Sequence, residues 1–134
     1  MKLLAHRGHT IKAIVLLLSI GSCMPSFAAT IEQNMKVLSA QLKVLNKTED
    51  VQVASQALLQ MQAAAEDAKQ TIPPRLSKFA ADSVEVQGYQ AQLDQLIAVI
   101  QSTQALVQEG HLEHAKMEAK KLIDIKAQGH KLYK

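Results

Sequence analysis

Four runs of mostly apolar residues, each spaced three or four apart, leave this chain little choice of fold. The first is Ile31, Met35, Leu38, Leu42 and Leu45. The second is Val51, Ala54, Leu58, Met61, Ala65, Ala68 and Ile72. The third is Val86, Tyr89, Leu93, Leu96 and Ile100, with a polar gap at Thr103 before Val107. The fourth is Leu112, Ala115, Ala119, Leu122, Lys126, His130 and Tyr133. Such positions stack on one face of an α-helix, whereas a strand needs a period of two. No stretch alternates with period two for long.

The residues between the stripes act as starts and stops. Thr30-Ile31-Glu32-Gln33 is a capping box opening the first helix. Asn46-Lys47 closes it, and Thr48 with Glu49 and Asp50 supplies a cap and an acidic first turn for the second. Pro73-Pro74 stops the second helix, because proline lacks an amide proton and restricts its predecessor. Arg75 to Ala81 reads as a longer loop, and Asp82-Ser83-Val84-Glu85 caps the third helix. Glu109-Gly110 ends it just before the fourth. Helices of roughly 16 to 26 residues are marginal alone in water and are held by burying one another's stripes. Short connections make neighbours antiparallel, so the expected fold is all-α, an up-down-up-down four-helix bundle.

Residues 1–28 stand apart. Lys2, Arg7 and Lys12 form a basic start, Ala13 to Ile20 is an unbroken apolar run, and Ser26-Phe27-Ala28 offers small residues where a signal peptidase reads. This is the pattern of a secretory signal peptide, too short in its apolar part to span a membrane. The folded domain is expected over residues 29–134. A second reading takes Ile20-Gly21-Ser22-Cys23 as a lipoprotein processing box, which would anchor the protein through acylated Cys23.

Setting the leader aside changes the chemistry available. Cys23 is the only cysteine, so residues 29–134 carry no disulfide, zinc-thiolate site or cysteine nucleophile. Three of the fifteen basic residues leave with the leader, and the remaining twelve balance twelve acidic ones. The net charge of +3 therefore belongs to the leader and argues for no nucleic-acid partner. With no Trp, two Tyr and two Phe, there is no aromatic platform for stacking bases. No serine sits in a nucleophile elbow and no glycine-rich phosphate loop occurs. Glu49-Asp50 and Glu66-Asp67 are adjacent pairs, hence on different helix faces, and read as solvated charge. His111, His114 and Glu118 are a weak candidate for a surface Zn or Cu site.

The remaining candidates are Met35 and His130. In an antiparallel bundle the start of the first helix and the end of the last share one end. Met35 and His130 each lie about one turn inside those termini, on the stripe faces, and so face a common core at similar depth. A methionine there is ordinarily filler, and a lone histidine near a helix end is ordinarily half-solvated. Together a thioether and an imidazole also form an axial pair that holds haem iron. No Cys-x-x-Cys-His occurs, so a haem would be held without thioether links.

Thr30 to Lys134 resembles the cytochrome b562 family, soluble periplasmic b-type cytochromes; cytochrome b562 is itself a standard example of the up-down-up-down bundle. The matching stretches are Glu32-Gln33-Asn34-Met35, Met61-Gln62-Ala63-Ala64-Ala65, Pro73-Pro74-Arg75-Leu76, Asp82-Ser83, Glu109-Gly110 and His130 with the basic tail after it. Their order and spacing, over the whole domain, carry the resemblance. It implies one non-covalent haem b, with Met35 and His130 as axial ligands of the iron. It also implies pocket walls at Leu58, Met61, Tyr89 and Leu93, with basic Lys126 one turn before the histidine and within reach of a propionate. It implies electron transfer and no enzymatic activity, a periplasmic monomer, and a redox partner protein of unknown identity. The chain departs from the family in three places: Tyr89 and Leu93 stand where phenylalanines are usual, and Gly129 stands where an aromatic residue is usual. The alternative is a haem-free periplasmic bundle acting as a protein- or metal-binding module.

Overall fold

The computed structural model describes residues 29–133. The signal-peptide and Cys23-anchor readings fall outside the described residues. Four helices follow in order: α1 (Ile31–Lys47), α2 (Val51–Gln70), α3 (Val84–Gln108) and α4 (Leu112–Tyr133). A single 3₁₀ turn, Pro74–Leu76, lies between α2 and α3. No strand occurs among the described residues. α1 packs on α2, α2 on α3 and α3 on α4, which gives the expected four-helix bundle. The fourth seam, between α1 and α4, is much more sparsely packed than the other three.

The helix ends follow from local chemistry. Thr30 and Gln33 form a reciprocal capping box, the Thr30 amide donating to Gln33 Oε1 at 2.8 Å and the Gln33 amide to Thr30 Oγ1 at 3.2 Å. The second helix starts differently from the expectation. Its cap is Asp50, whose carboxylate accepts from the amides of Gln52 at 2.7 Å and Val53 at 3.2 Å. Thr48 lies too early to reach those amides; it ends α1 instead, its own amide donating to the Val44 carbonyl. No acidic residue then falls in the first turn of α2. Ser83 caps α3 by accepting from the Val86 amide. At the end of α3, the His111 amide donates to Leu106 and the Gly110 amide to Val107, the paired bonds of a Schellman motif. That motif needs a left-handed residue, and Gly110 supplies it at φ 80°.

The stripes form the core, with three local differences. Leu38, Leu45, Leu58, Met61, Ile100, Val107 and Leu122 are buried, and small Ala54, Ala65, Ala68, Ala115 and Ala119 let the helices approach closely. Thr103 is not a gap: it is fully buried, with its hydroxyl donating to the Val99 carbonyl one turn back at 2.7 Å. Ile72 lies beyond the end of α2 and is exposed, as is Val51 in the first turn. Leu76, in the connection read as loop, is buried because the 3₁₀ turn folds it inward. The domain is further tied where α4 begins, by Lys116 bridging Glu49 at 2.7 Å and Glu113 at 2.9 Å.

One polar contact enters the α1–α2 seam. Asn34 is 3% exposed, and its Nδ2 donates to the Asp67 carboxylate at 2.7 Å. Of the Glu66-Asp67 pair, Glu66 is exposed and accepts from Gln62 Nε2 at 2.8 Å, whereas Asp67 is half-buried. A hydrogen bond to a carboxylate contributes more than a neutral one, so Asn34→Ala is expected to destabilise the fold by about 2 kcal/mol in urea titrations. Asn34→Ala with Asp67→Ala should cost less than the sum of the two single changes.

Candidate functional site

The sparse α1–α4 seam opens into a cavity of about 590 Å³, at the end of the bundle where α1 begins and α4 finishes. This lies within the range of roughly 300–1,000 Å³ typical of cofactor and ligand sites. Ile31 and Met35 of α1 and Leu122 and Ile125 of α4 line the two sides of the opening. Met61 of α2 and Tyr89, Leu93 and Leu96 of α3 line it behind. Pro73 and Pro74 form an end wall that cannot donate backbone hydrogen bonds. The acidic and basic side chains in the lining are Glu32, Arg75, Lys126 and His130.

Most of the residues singled out from the sequence come together here. Met35, Met61, Tyr89, Leu93, Lys126 and His130 all line this one cavity. Met35 is half-buried and His130 is exposed, so His130 does not face a closed core but borders an open space. Leu58 does not line the cavity; it is fully buried within the packed core. Three residues before Met61, it sits about 4.5 Å further along α2, below the cavity floor. Lys126 is already engaged by protein: its ammonium donates to Ser39 Oγ across the α1–α4 seam. Ser39 in turn donates to the Met35 carbonyl at 2.8 Å, so the bridge ends on the turn of α1 that carries the methionine.

The departures at Tyr89 and Gly129 have structural explanations. The Tyr89 hydroxyl is buried and donates to the Ala68 carbonyl at 2.7 Å, near the end of α2. The added polar atom is therefore satisfied, and burial pushes its pKa up to about 12. The Tyr89 ring meets Tyr133 edge to face, with centroids 5.3 Å apart and planes at 77°. At Gly129 the helix presents only backbone toward Gln92, whose Nε2 donates to the Ile125 carbonyl at 3.1 Å. Leu93 is buried in the cavity wall.

Several contributors were not singled out from the sequence. Pro73, Pro74 and Arg75 were read as a helix stop and a loop, yet they form a wall. Ser39 and Gln92 lie between stripe positions, so apolar periodicity passes over them. Their contacts become visible only when the helices are placed side by side. The His111–His114 pair, with ring centroids 5.8 Å apart, does not acquire a third ligand. Glu118 is taken by Lys121 and Ser102, and no group of three or more metal-ligating side chains occurs among the described residues.

Two outcomes follow for this end of the bundle. A Cβ at Gly129 would meet Gln92 Cγ at 3.7 Å, an ordinary contact. Gly129→Ala should therefore raise the stability of the ligand-free protein by up to about 1 kcal/mol in thermal melts, through helix propensity. Tyr89 holds its proton more tightly folded than unfolded, so it favours the native state fully below its ordinary value of 10.0. That contribution fades as pH rises from there through about 12. Tyr89→Phe should flatten this part of the stability-versus-pH curve relative to the parent protein, measured by urea titration.

Comparison with known proteins places the chain. A probable soluble cytochrome b562 of Yersinia pestis is 35% identical over 117 residues, spanning 87% of this chain and 91% of the relative. A second probable soluble cytochrome b562 of the same organism is 28% identical over 127 residues, spanning 95% and 99%. An uncharacterized protein of Pasteurella multocida is 32% identical over 122 residues, spanning 88% and 95%. The sequence model of the cytochrome b562 family matches residues 30–134, and the chain belongs to that family.

Proposed function

We propose that this protein is a periplasmic electron carrier that holds one haem b, without covalent attachment, between Met35 and His130. The observation that carries this reading is the meeting of Met35 from α1 and His130 from α4 on one apolar cavity, along the one seam the helices leave sparsely packed. Family membership supports a haem-binding electron carrier in the coarser sense. The donor set fits a haem: a soft thioether, an imidazole nitrogen and largely apolar walls.

A bound haem would supply an iron that gains and loses one electron. Met35 and His130 would hold that iron, and the thioether of Met35 would favour its ferrous form. Iron held by two protein side chains would leave no open place for a substrate, which favours electron transfer over enzymatic turnover. Met61, Tyr89 and Leu93 give the pocket largely apolar walls, which would favour the less charged state of a bound metal centre. Arg75 and Lys126 bring positive charge to the cavity lining, suited to the acidic groups of a haem. Residues 29–134 contain no cysteine, in keeping with non-covalent attachment. The described helices include none long and apolar enough to cross a membrane. Export rests on the pattern of residues 1–28, and the protein should appear in osmotic-shock fluid.

The test is an absorption spectrum of the protein titrated with hemin, oxidised and then reduced with dithionite. One equivalent should give the sharp bands of low-spin, six-coordinate haem. Met35→Ala and His130→Ala should each convert these to a high-spin spectrum, with His130→Ala weakening binding more. Parent-like spectra in both variants would overturn the assignment.

A further inference from the structure

His130 lies in a part of α4 that helix physics makes weak. It is among the last four residues of the described helix, whose carbonyls lack helical partners. Gly129, immediately before it, lowers helix propensity by about 1 kcal/mol. Terminal turns of this kind open at little free-energy cost. The contact from Gln92 to the Ile125 carbonyl lies on the N-terminal side of His130, so it cannot stop unwinding that begins at Tyr133. A side chain beyond His130 acts on that unwinding directly.

Tyr133 is that side chain. It is one helical turn past His130 and half-buried against the core. Its ring stands edge-on to Tyr89 of α3 at 5.3 Å. Its hydroxyl lies over Gly88, only 3.1 Å from where a Cβ at that position would be. Gly88 is in the first turns of a helix, where glycine is otherwise unfavourable, and there the missing side chain leaves the space that the tyrosine occupies. Tyr89 itself is pinned by its hydrogen bond to Ala68, so Tyr133 rests on a fixed ring.

We propose that Tyr133, seated on the Gly88–Tyr89 step of α3, is a positioning residue that holds His130 in ligating position by keeping the last turn of α4 wound. The proposal rests on the Met35/His130 reading, and the experiment separates the two. The parent protein with hemin reports on ligation. Amide hydrogen exchange of residues 129–133 in the haem-free protein reports on the pin alone. Tyr133→Ala should speed exchange of the His130 amide about tenfold, the loss of an aromatic pair at a helix end. In hemin-loaded protein it should raise the high-spin fraction and speed haem loss to a scavenger about tenfold, and added imidazole should restore the low-spin bands.

Gly88→Ala supplies an independent probe. Its methyl would press on the Tyr133 hydroxyl and lift the ring, so it should reproduce part of the Tyr133→Ala effect although alanine is the better helix former. Removing that hydroxyl in Gly88→Ala/Tyr133→Phe should return His130 exchange toward that of Tyr133→Phe alone. A purely structural role would lower the melting temperature of the haem-free protein and leave the spin state unchanged. The proposal is overturned if Tyr133→Ala leaves His130 exchange at the parent rate, or if it loosens the turn without changing the spin state or haem loss. It is also overturned if the double variant is no better than Gly88→Ala. A parent protein without low-spin bands would overturn the ligation reading instead, whatever the exchange data show.

Discussion

Everything distinctive about this bundle depends on the seam its helices do not close. α1–α2, α2–α3 and α3–α4 are each joined by interlocking leucines, valines and closely set alanines. Along α1–α4 the apolar side chains at one end line open space instead of one another. Hydrophobic burial is the main favourable term in folding, and a cavity forfeits both burial and dispersion contacts. The domain can carry that deficit because the other three seams bring their helices into much closer contact. The deficit also creates affinity: an apolar guest of the right shape restores what the helices leave unmade, and stabilises the fold by mass action.

The fold was largely legible in the sequence because its cause is local and repetitive. Stripe positions such as Leu45, Leu58, Ile100 and Leu122 are buried for the same periodic reason that marks them in the chain. The end signals at Thr30, Ser83 and Gly110 act through neighbours at most five residues away. Misjudged residues fail that criterion. Thr103 interrupts the stripe as a letter, but its hydroxyl is absorbed by its own helix. Leu58 shares a stripe with Met61, but periodicity gives a face, not a depth along the axis, so it could not separate a wall from the core beneath. His130 continues the stripe of α4, yet it is exposed and borders the cavity, and a stripe cannot report open space beside it.

The polar contacts were the least legible and are the most specific. Asn34 with Asp67, Lys126 with Ser39, and Tyr89 with the Ala68 carbonyl each join residues distant in sequence. Two of the three lie beside the cavity. Lys126 and Ser39 connect its two sides, and Tyr89 secures the wall between α2 and α3. In an all-apolar bundle the helices can slide or rotate with small changes in buried area. Directional bonds permit one arrangement, and a cavity built from four helices keeps its shape through that restriction.

The tight Gly110 turn has a consequence for how the chain folds. The Schellman motif joins α3 to α4 so closely that the two can pair as a hairpin using contacts local in sequence. That hairpin already carries Tyr89, Leu93, Ile125 and His130, much of the cavity wall. Met35 belongs to α1, whose meeting with α4 joins the two most widely separated helices and carries the largest loop-closure entropy of the four seams. It is also the seam that side-chain packing rewards least. The kinetic and thermodynamic weak points thus coincide, and a guest bridging α1 and α4 would act on the step at which the circuit of helices closes.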